Sequence, residues 1–512
     1  MTQGRNRSRA LATLQLATSI AAVLVLALPS VDGIGAKALL PQTATSGKKS
    51  DLVTRLQQKL PTLMSDGEVP GLAIAIVENG ALIWAKGFGI SNTTTKAPVT
   101  DDTVFEAASL SKPVFAYAVL KLVDAGKFDL DTPLTKYLPG TYDVGDDPRL
   151  GQITARHVLS HTTGFPNWRP RGESKLKIHF TPGERFSYSG EGFVYLSKVI
   201  VHVTGEPFDA FMKRMVFVPL GMTSSSYVWQ SRYESQKTFP HDTFGVAGIQ
   251  NRSTAPNAAA SLNTTAADYG RFLAAILNGT GPRKETARLM LTPQIKVGQR
   301  SNSIDRTLGP LSESISWGLG VGLEQTSEGA SLWHWGDNGD SKAYVVASEK
   351  PKTGLVVFMN SANGLSIISE IIEQSIGGVH PALKWVDYES YKSPVRTLLR
   401  NLRTMGAERA IAQYREWRKS RPREEQVTEA QMNRLGYNVL LGLKKPDDAI
   451  ELFKLNVEDY PASSNAFDSL AEGYMVAGKN ELAIKNYERS IELNPNNTDG
   501  KAKLLELRPK LK

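Results

Sequence analysis

Apolar runs suited to β-strands sit at two places far apart in the chain, and this separation restricts the possible topologies more than any other feature. Near the start, Gly71-Leu72-Ala73-Ile74-Ala75-Ile76-Val77-Glu78 and Ala81-Leu82-Ile83-Trp84-Ala85 flank Asn79-Gly80. A type I′ turn needs positive φ at both central residues, which Asn-Gly tolerates, so the spacing predicts a tight hairpin. Three further runs, 330–335, 343–347 and 355–359, have the same β-type composition. Between the two groups lie helical periodicities such as 114–123 and 269–277. One antiparallel sheet gathering strands from both ends, with the intervening helices against it, predicts an α+β domain. A chain of 512 residues, 41% of them hydrophobic, is too long for one ordinary domain and predicts at least two.

Chemistry enters at Ser109-Leu110-Ser111-Lys112, which opens one of these helical stretches. Read as a helix start, it puts Ser109 and Lys112 on one face, where hydroxyl and amine touch. A serine hydroxyl attacks a carbonyl poorly unless a neighbour takes its proton, and a desolvated lysine can do so. Alone, Ser-x-x-Lys recurs by chance in many helices. Two later segments add weight. Phe186-Ser187-Tyr188-Ser189-Gly190 follows the turn Thr181-Pro182-Gly183-Glu184, which presents a tyrosine at a loop tip. Trp333-His334-Trp335-Gly336-Asp337 closes an aromatic strand.

In that order the three segments resemble the signature of the penicillin-binding-protein and serine β-lactamase superfamily. The likeness is strongest to its class C branch, which also holds family VIII carboxylesterases, DD-peptidases and D-aminopeptidases. Segments 158–165, 218–223, 261–268 and 317–320 extend it, so that it covers roughly residues 50–365. The resemblance implies a β-lactamase/transpeptidase-like antiparallel sheet with a helical subdomain on one side, and the nucleophile helix at the junction. It implies that Ser109 attacks, that Lys112 and Tyr188 share its proton, and that the backbone N–H groups of Ser109 and Asp337 hold the oxyanion. A phenol titrates near pH 10, and a lysine ammonium beside Tyr188 is expected to lower that value and favour the phenolate. By position, His334, Trp335, Gly336 and Gly190 are substrate-binding residues.

Two departures from the pattern bear on substrate. Gly190 stands where lactam-binding members carry asparagine, so no side-chain amide reaches an acyl-amide. His334 replaces a lysine and is expected to be only partly charged at neutral pH, and the bulky Trp335 to reshape the pocket. Both argue for ester or D-amino-acid peptide-like amide substrates over lactams. The implied function is an exported serine hydrolase working through an acyl-enzyme. A β-lactamase, or a degenerate hydrolase fold that binds a ligand while a repeat domain recruits a partner, are the alternatives.

Arg5, Arg7 and Arg9 precede an apolar stretch over 11–28, with small residues at Gly35-Ala36-Lys37-Ala38. This predicts a secretory signal peptide cleaved after Ala36 or Ala38 and a periplasmic location, with an uncleaved anchor as the second reading. The chain has no cysteine, which excludes disulfides and a lipid-modified cysteine. From about residue 381, Ala483, Tyr487 and Pro495 repeat the spacing of Ala449, Phe453 and Pro461 at an offset of 34. That period resembles tetratricopeptide repeats. Ala410, Tyr414 and Pro422 form an irregular echo 39 residues earlier. The expected domains are therefore a signal peptide (1–38), a hydrolase domain (39–380) and an all-α, tetratricopeptide-like solenoid (381–512). The solenoid is not expected to supply catalytic groups but offers a docking surface for a protein partner.

Between Lys392 and Arg423 ten Lys or Arg face only Glu408 and Glu416. This run fits either contact with an anionic membrane surface or a solvated helix face balanced by acids elsewhere. An exported chain makes nucleic acid an unsuitable partner. His161, in Ser160-His161-Thr162-Thr163-Gly164, is expected to order its turn rather than to catalyse. His157, His179 and His202 lack metal-ligand spacing, and there is no dinucleotide or Walker motif, so no metal or other cofactor is implied.

Overall fold

The computed structural model describes residues 51–508 apart from 141, 171, 173–174 and 299–307. The signal-peptide segment lies outside the described residues. Eleven strands run through the rest: β1 Gly71–Glu78, β2 Ala81–Asn92, β3 Ala97–Pro98, β4 Phe105–Glu106, β5 Asn263–Thr264, β6 Ile295–Lys296, β7 Ile315–Trp317, β8 Gly322–Thr326, β9 Gly329–Asp337, β10 Lys342–Ser348 and β11 Thr353–Met359. Nine of them form one antiparallel sheet in the order β3-β2-β1-β11-β10-β9-β8-β7-β6, and β4 pairs with β5 as a separate ribbon.

The expected hairpin is present. Asn79 and Gly80 have φ of 51° and 73°, as the type I′ turn requires. The two distant strand groups meet where Leu72 pairs with Met359 and Val77 with Gly354. β8 begins at Gly322, opposite Trp333, so it leaves the β9 edge from His334 to Asp337 uncovered.

The helices do not keep to one side of the sheet. Ala73, Ala75, Val345 and Phe358 face a core built with the helices Ser111–Asp124, Gly190–Thr204 and Ala266–Asn278. Leu72, Ile74, Ile76, Tyr344 and Val357 face a second core, closed by the helices Asp51–Asp66, Ile368–Gln374 and Pro381–Val386. β1 is therefore buried on both faces, and a strand in that position must be apolar at successive rather than alternate residues.

The second core includes Trp385, Val386 and Tyr391, while a third cluster begins at Val395 and runs to Leu507. The boundary expected at residue 380 thus falls inside the second core; the change of core comes between Tyr391 and Val395. Beyond it the chain is helical, in elements including Pro394–Met405, Ala407–Arg418, Pro446–Asp459, Ser464–Val476 and Asn480–Leu493. Phe453 packs against Gly436 and Gly473, where an added Cβ would lie 2.3 Å and 3.0 Å from its ring.

Most of the basic run at 392–423 is paired within the chain. Lys392 meets Glu370, Arg403 meets Glu68, Arg415 and Arg418 meet Glu458, and Arg418 also meets Asp459. Arg400 donates to the carbonyl of Asp66, and Arg396 to the side chain of Asn363. These pairs remove much of the free charge on which the membrane-surface reading rested.

Candidate active site

Ser109 lies in a tight 3-10 turn, Ala108–Leu110, that leads directly into the helix Ser111–Asp124. Ala108 adopts φ 47°, a left-handed conformation that costs a residue with a Cβ and persists only where its surroundings impose it. Those surroundings are visible. Ser111 Oγ donates to the Ala108 carbonyl at 2.6 Å and accepts from Leu262 N at 2.9 Å. The Tyr269 hydroxyl donates to Leu110 O at 3.0 Å, and that of Tyr227 to Ser111 O at 2.7 Å. β9 presses on the turn at Gly336, where a Cβ would stand 2.6 Å from Ala107 O. Only glycine permits that approach.

Lys112 Nζ lies 3.1 Å from Ser109 Oγ and donates to Ala259 O at 2.8 Å. The lysine is wholly buried, and burial alone pushes its pKa well below the ordinary lysine value. Burial thus favours the neutral amine, the form whose lone pair can take the serine proton. Tyr188 is close by, its ring centroid 4.8 Å from Lys112 Nζ. Its hydroxyl is buried without a hydrogen bond of standard geometry. Burial drives the Tyr188 pKa up, and the adjacent Ser109 hydroxyl only partly opposes this. The expected phenolate is thus corrected. A buried phenol keeps its proton, so Tyr188 can act as a proton relay rather than as a standing anion.

His334 is fully buried and donates from Nδ1 to Trp335 O at 2.7 Å, which leaves the lone pair on Nε2. Burial first, and then the nearness of Lys112, pushes its pKa down to about 3. The partial charge expected of it at neutral pH is absent. Trp335 does not reshape the pocket from within. It sits behind Tyr188, with ring centroids 4.8 Å apart, and against Trp385 at 5.3 Å. Nor is Gly190 an open subsite, because the Trp168 ring would lie 2.6 Å from a Cβ there. Gly190 N instead donates to Asn167 O and Oδ1. Asp337 ends β9 at the mouth, its carboxylate ion-paired with Lys342 at 2.5 Å.

Two supporting residues do more than the sequence indicated. His161 stacks on Tyr188 at 4.2 Å and accepts from Ser189 N at 3.0 Å, so it orders the tyrosine loop as well as its own turn. Trp168 left no signal beyond being an aromatic in a loop. A cavity of about 710 Å³ adjoins the lysine's partner Ala259 and is lined by Glu106, Asn257, Ala260, Asn338, Asp340 and Ser341. Glu106 in its wall is ion-paired with the buried Lys237 at 2.9 Å.

With this geometry in place, the Beta-lactamase family model matches residues 56–367, more than half of the chain. The chain belongs to the β-lactamase family. Among curated relatives, protein flp of Staphylococcus aureus (strain NCTC 8325 / PS 47) is 24% identical over 328 residues, covering 59% of this chain and 63% of flp. Esterase EstB of Burkholderia gladioli is 27% identical over 218 residues, covering 37% of this chain and 55% of EstB. The match thus spans less than two thirds of either relative. Among solved structures, the octameric penicillin-binding protein homologue from Pyrococcus abyssi superposes with a TM-score of 0.55 at 24% identity, covering 68% of this chain and 81% of that one. The β-lactamase-family fold accounts for the sheet, the helices packed on it and the turn carrying Ser109 at their junction. The helical tail lies beyond the matched segment and is consistent with repeats.

Proposed function

We propose that this chain is a serine hydrolase that forms an acyl-enzyme at Ser109 and acts on ester or D-amino-acid peptide-like amide substrates. The observation that carries the reading is the contact of Ser109 Oγ with the wholly buried Lys112 Nζ at 3.1 Å, where burial lowers the lysine pKa. Attack by Ser109 passes its proton to Lys112, and the tetrahedral oxyanion is met by the backbone N–H groups of Ser109 and Asp337. Lys112 then returns the proton through Tyr188 to the leaving group, and the same relay deprotonates the water that releases the acyl group.

Esters and simple amides rank ahead of penicillins and cephalosporins on two grounds. The place of a lactam-recognising amide is taken by the Trp168 ring over Gly190, and an uncharged His334 offers no cation to a lactam carboxylate. Export to the periplasm rests on the basic and apolar N-terminal segment, and docking of a protein partner on the tetratricopeptide-like spacing of the tail. A fluorophosphonate probe should add its mass at Ser109, and Ser109→Ala should abolish both labelling and aryl-ester turnover. Turnover retained by the alanine variant would remove Ser109 from the mechanism.

A further inference from the structure

Beyond the family-matched segment the chain returns to the catalytic site. The helix Pro381–Val386 lays Trp385 against Trp333 and Trp335, with centroids at 5.5 Å and 5.3 Å, and the Trp385 indole donates to Gly298 O at 2.8 Å. Asp387 ends the helix in a left-handed conformation, φ 49°, and so reverses the chain toward the mouth. The next residue, Tyr388, donates its hydroxyl to Asp337 Oδ2 at 2.5 Å.

Asp337 is held from three directions. Tyr388 takes Oδ2, while Oδ1 is bound by Lys342 Nζ at 2.5 Å and by Gly339 N at 2.8 Å. Lys342 Nζ in turn lies 5.5 Å from the Tyr388 ring centroid. Burial works against ionisation of Asp337, yet the Lys342 ammonium and these hydrogen bonds keep its carboxyl below the usual range. A two-pronged clamp on a residue whose side chain is one third exposed does little for a core. It does tie the last residue of β9 to β10 and to the segment that follows Trp385.

We propose that Tyr388 is a positioning residue of the hydrolytic site: by clamping the Asp337 side chain it aims the Asp337 N–H at the oxyanion, which makes 381–391 part of the catalytic unit. This rests on the serine-hydrolase reading. Removing an oxyanion-hole donor altogether costs about 100-fold to 1000-fold in kcat, so a donor left in place but mis-aimed should cost about 10-fold. The loss should appear in kcat and not in KM, because the donor engages charge that develops only in the transition state.

The test uses the full chain and compares wild type with Tyr388→Phe, which keeps the ring and removes only the hydroxyl. We expect kcat per titrated active site on an aryl ester to fall about 10-fold at unchanged KM, and the Ki of an aryl boronate, whose adduct is a tetrahedral anion, to rise by a similar factor. In an Asp337→Ala background the same Tyr388 substitution should have no further effect, because its route of action is gone. Should that background fold poorly, the boronate Ki of the single variant decides alone. A variant with a lowered melting temperature and fewer titratable sites, but unchanged kcat per site and unchanged boronate Ki, overturns the proposal in favour of a purely structural role. A wild type that takes no fluorophosphonate label overturns it together with the hydrolase reading. A wild type that labels normally beside an unaltered Tyr388→Phe overturns it alone.

Discussion

Two groups of basic residues in this chain have opposite fates. Lys112 is wholly buried, and its pKa is pushed down by burial with no carboxylate to offset it. Arg415 and Arg418, in the helical tail, share Glu458 at 2.5 Å and 2.8 Å near the surface. A cation taken from water without a counter-ion is cheaper to neutralise than to keep, whereas one that stays wet beside a carboxylate keeps its charge. The first kind is drawn toward its neutral form. The second becomes a modest tie between helices. The position of the proton, rather than the residue type, separates chemistry from scaffolding here.

The largest expected effect would break the comparison at its buried end. Lys112→Met, of similar shape and without the amine, should lower kcat on an aryl ester by on the order of 1000-fold, with thermal stability unchanged or raised because a buried polar group has been removed. Lys112→Arg cannot surrender its charge and should lose activity as well as about 3–5 kcal/mol of stability in chemical denaturation. An active arginine variant would show that Lys112 acts as a cation.

A smaller effect sharpens the same point through the histidines. His334 titrates near 3 in the fold and near 6.5 when unfolded, so as pH falls between those values the unfolded chain takes up a proton that the fold refuses. Stability present above about pH 6.5 is therefore lost progressively toward pH 3. His161 is pushed the same way, by burial first and then by Lys112 and His334. The melting temperature should fall over this window, and His334→Gln should make the fall shallower. An unchanged slope would mean that His334 is protonated in the fold.

The smallest effect lies at the wet end. Arg415→Gln should cost no more than about 1 kcal/mol in urea unfolding, and less at high salt, because the Arg415–Glu458 pair is about half exposed on both sides. A large, salt-insensitive loss would place that pair in the buried class.

Much of the frame was legible because it depends on local rules. Asn79-Gly80 announced its turn by conformation, and Ser109 with Lys112 by spacing taken together with the later segments around Tyr188 and His334. The short strands β6 and β7, of two and three residues, carry too little sequence for any periodicity to register. The charge states at the site were not legible either. Lys112 and Tyr188 take theirs from burial beneath segments remote in the chain, such as the one carrying Ala259 and the one carrying Trp335. Covering of Gly190 by Trp168 and the return of Tyr388 to Asp337 are contacts of single aromatics in non-periodic loops, and no pattern in the sequence foretells them.

The pairing of Leu72 with Met359 also sets a schedule. β1 is among the first strands to leave a ribosome and β11 is the last, so the central ladder cannot close until nearly all of the hydrolase sequence exists. Contacts that span so much chain form late and slowly. Until then the strongly apolar β1–β2 hairpin lacks a partner on one edge, the kind of exposure that invites aggregation or a chaperone. Ser109 and Lys112 are neighbours from the moment of synthesis, but the partners that enclose the lysine, Tyr188 and Ala259, are made 76 and 147 residues later. The lowered pKa of Lys112 thus belongs to the folded chain and not to its unfinished N-terminal half.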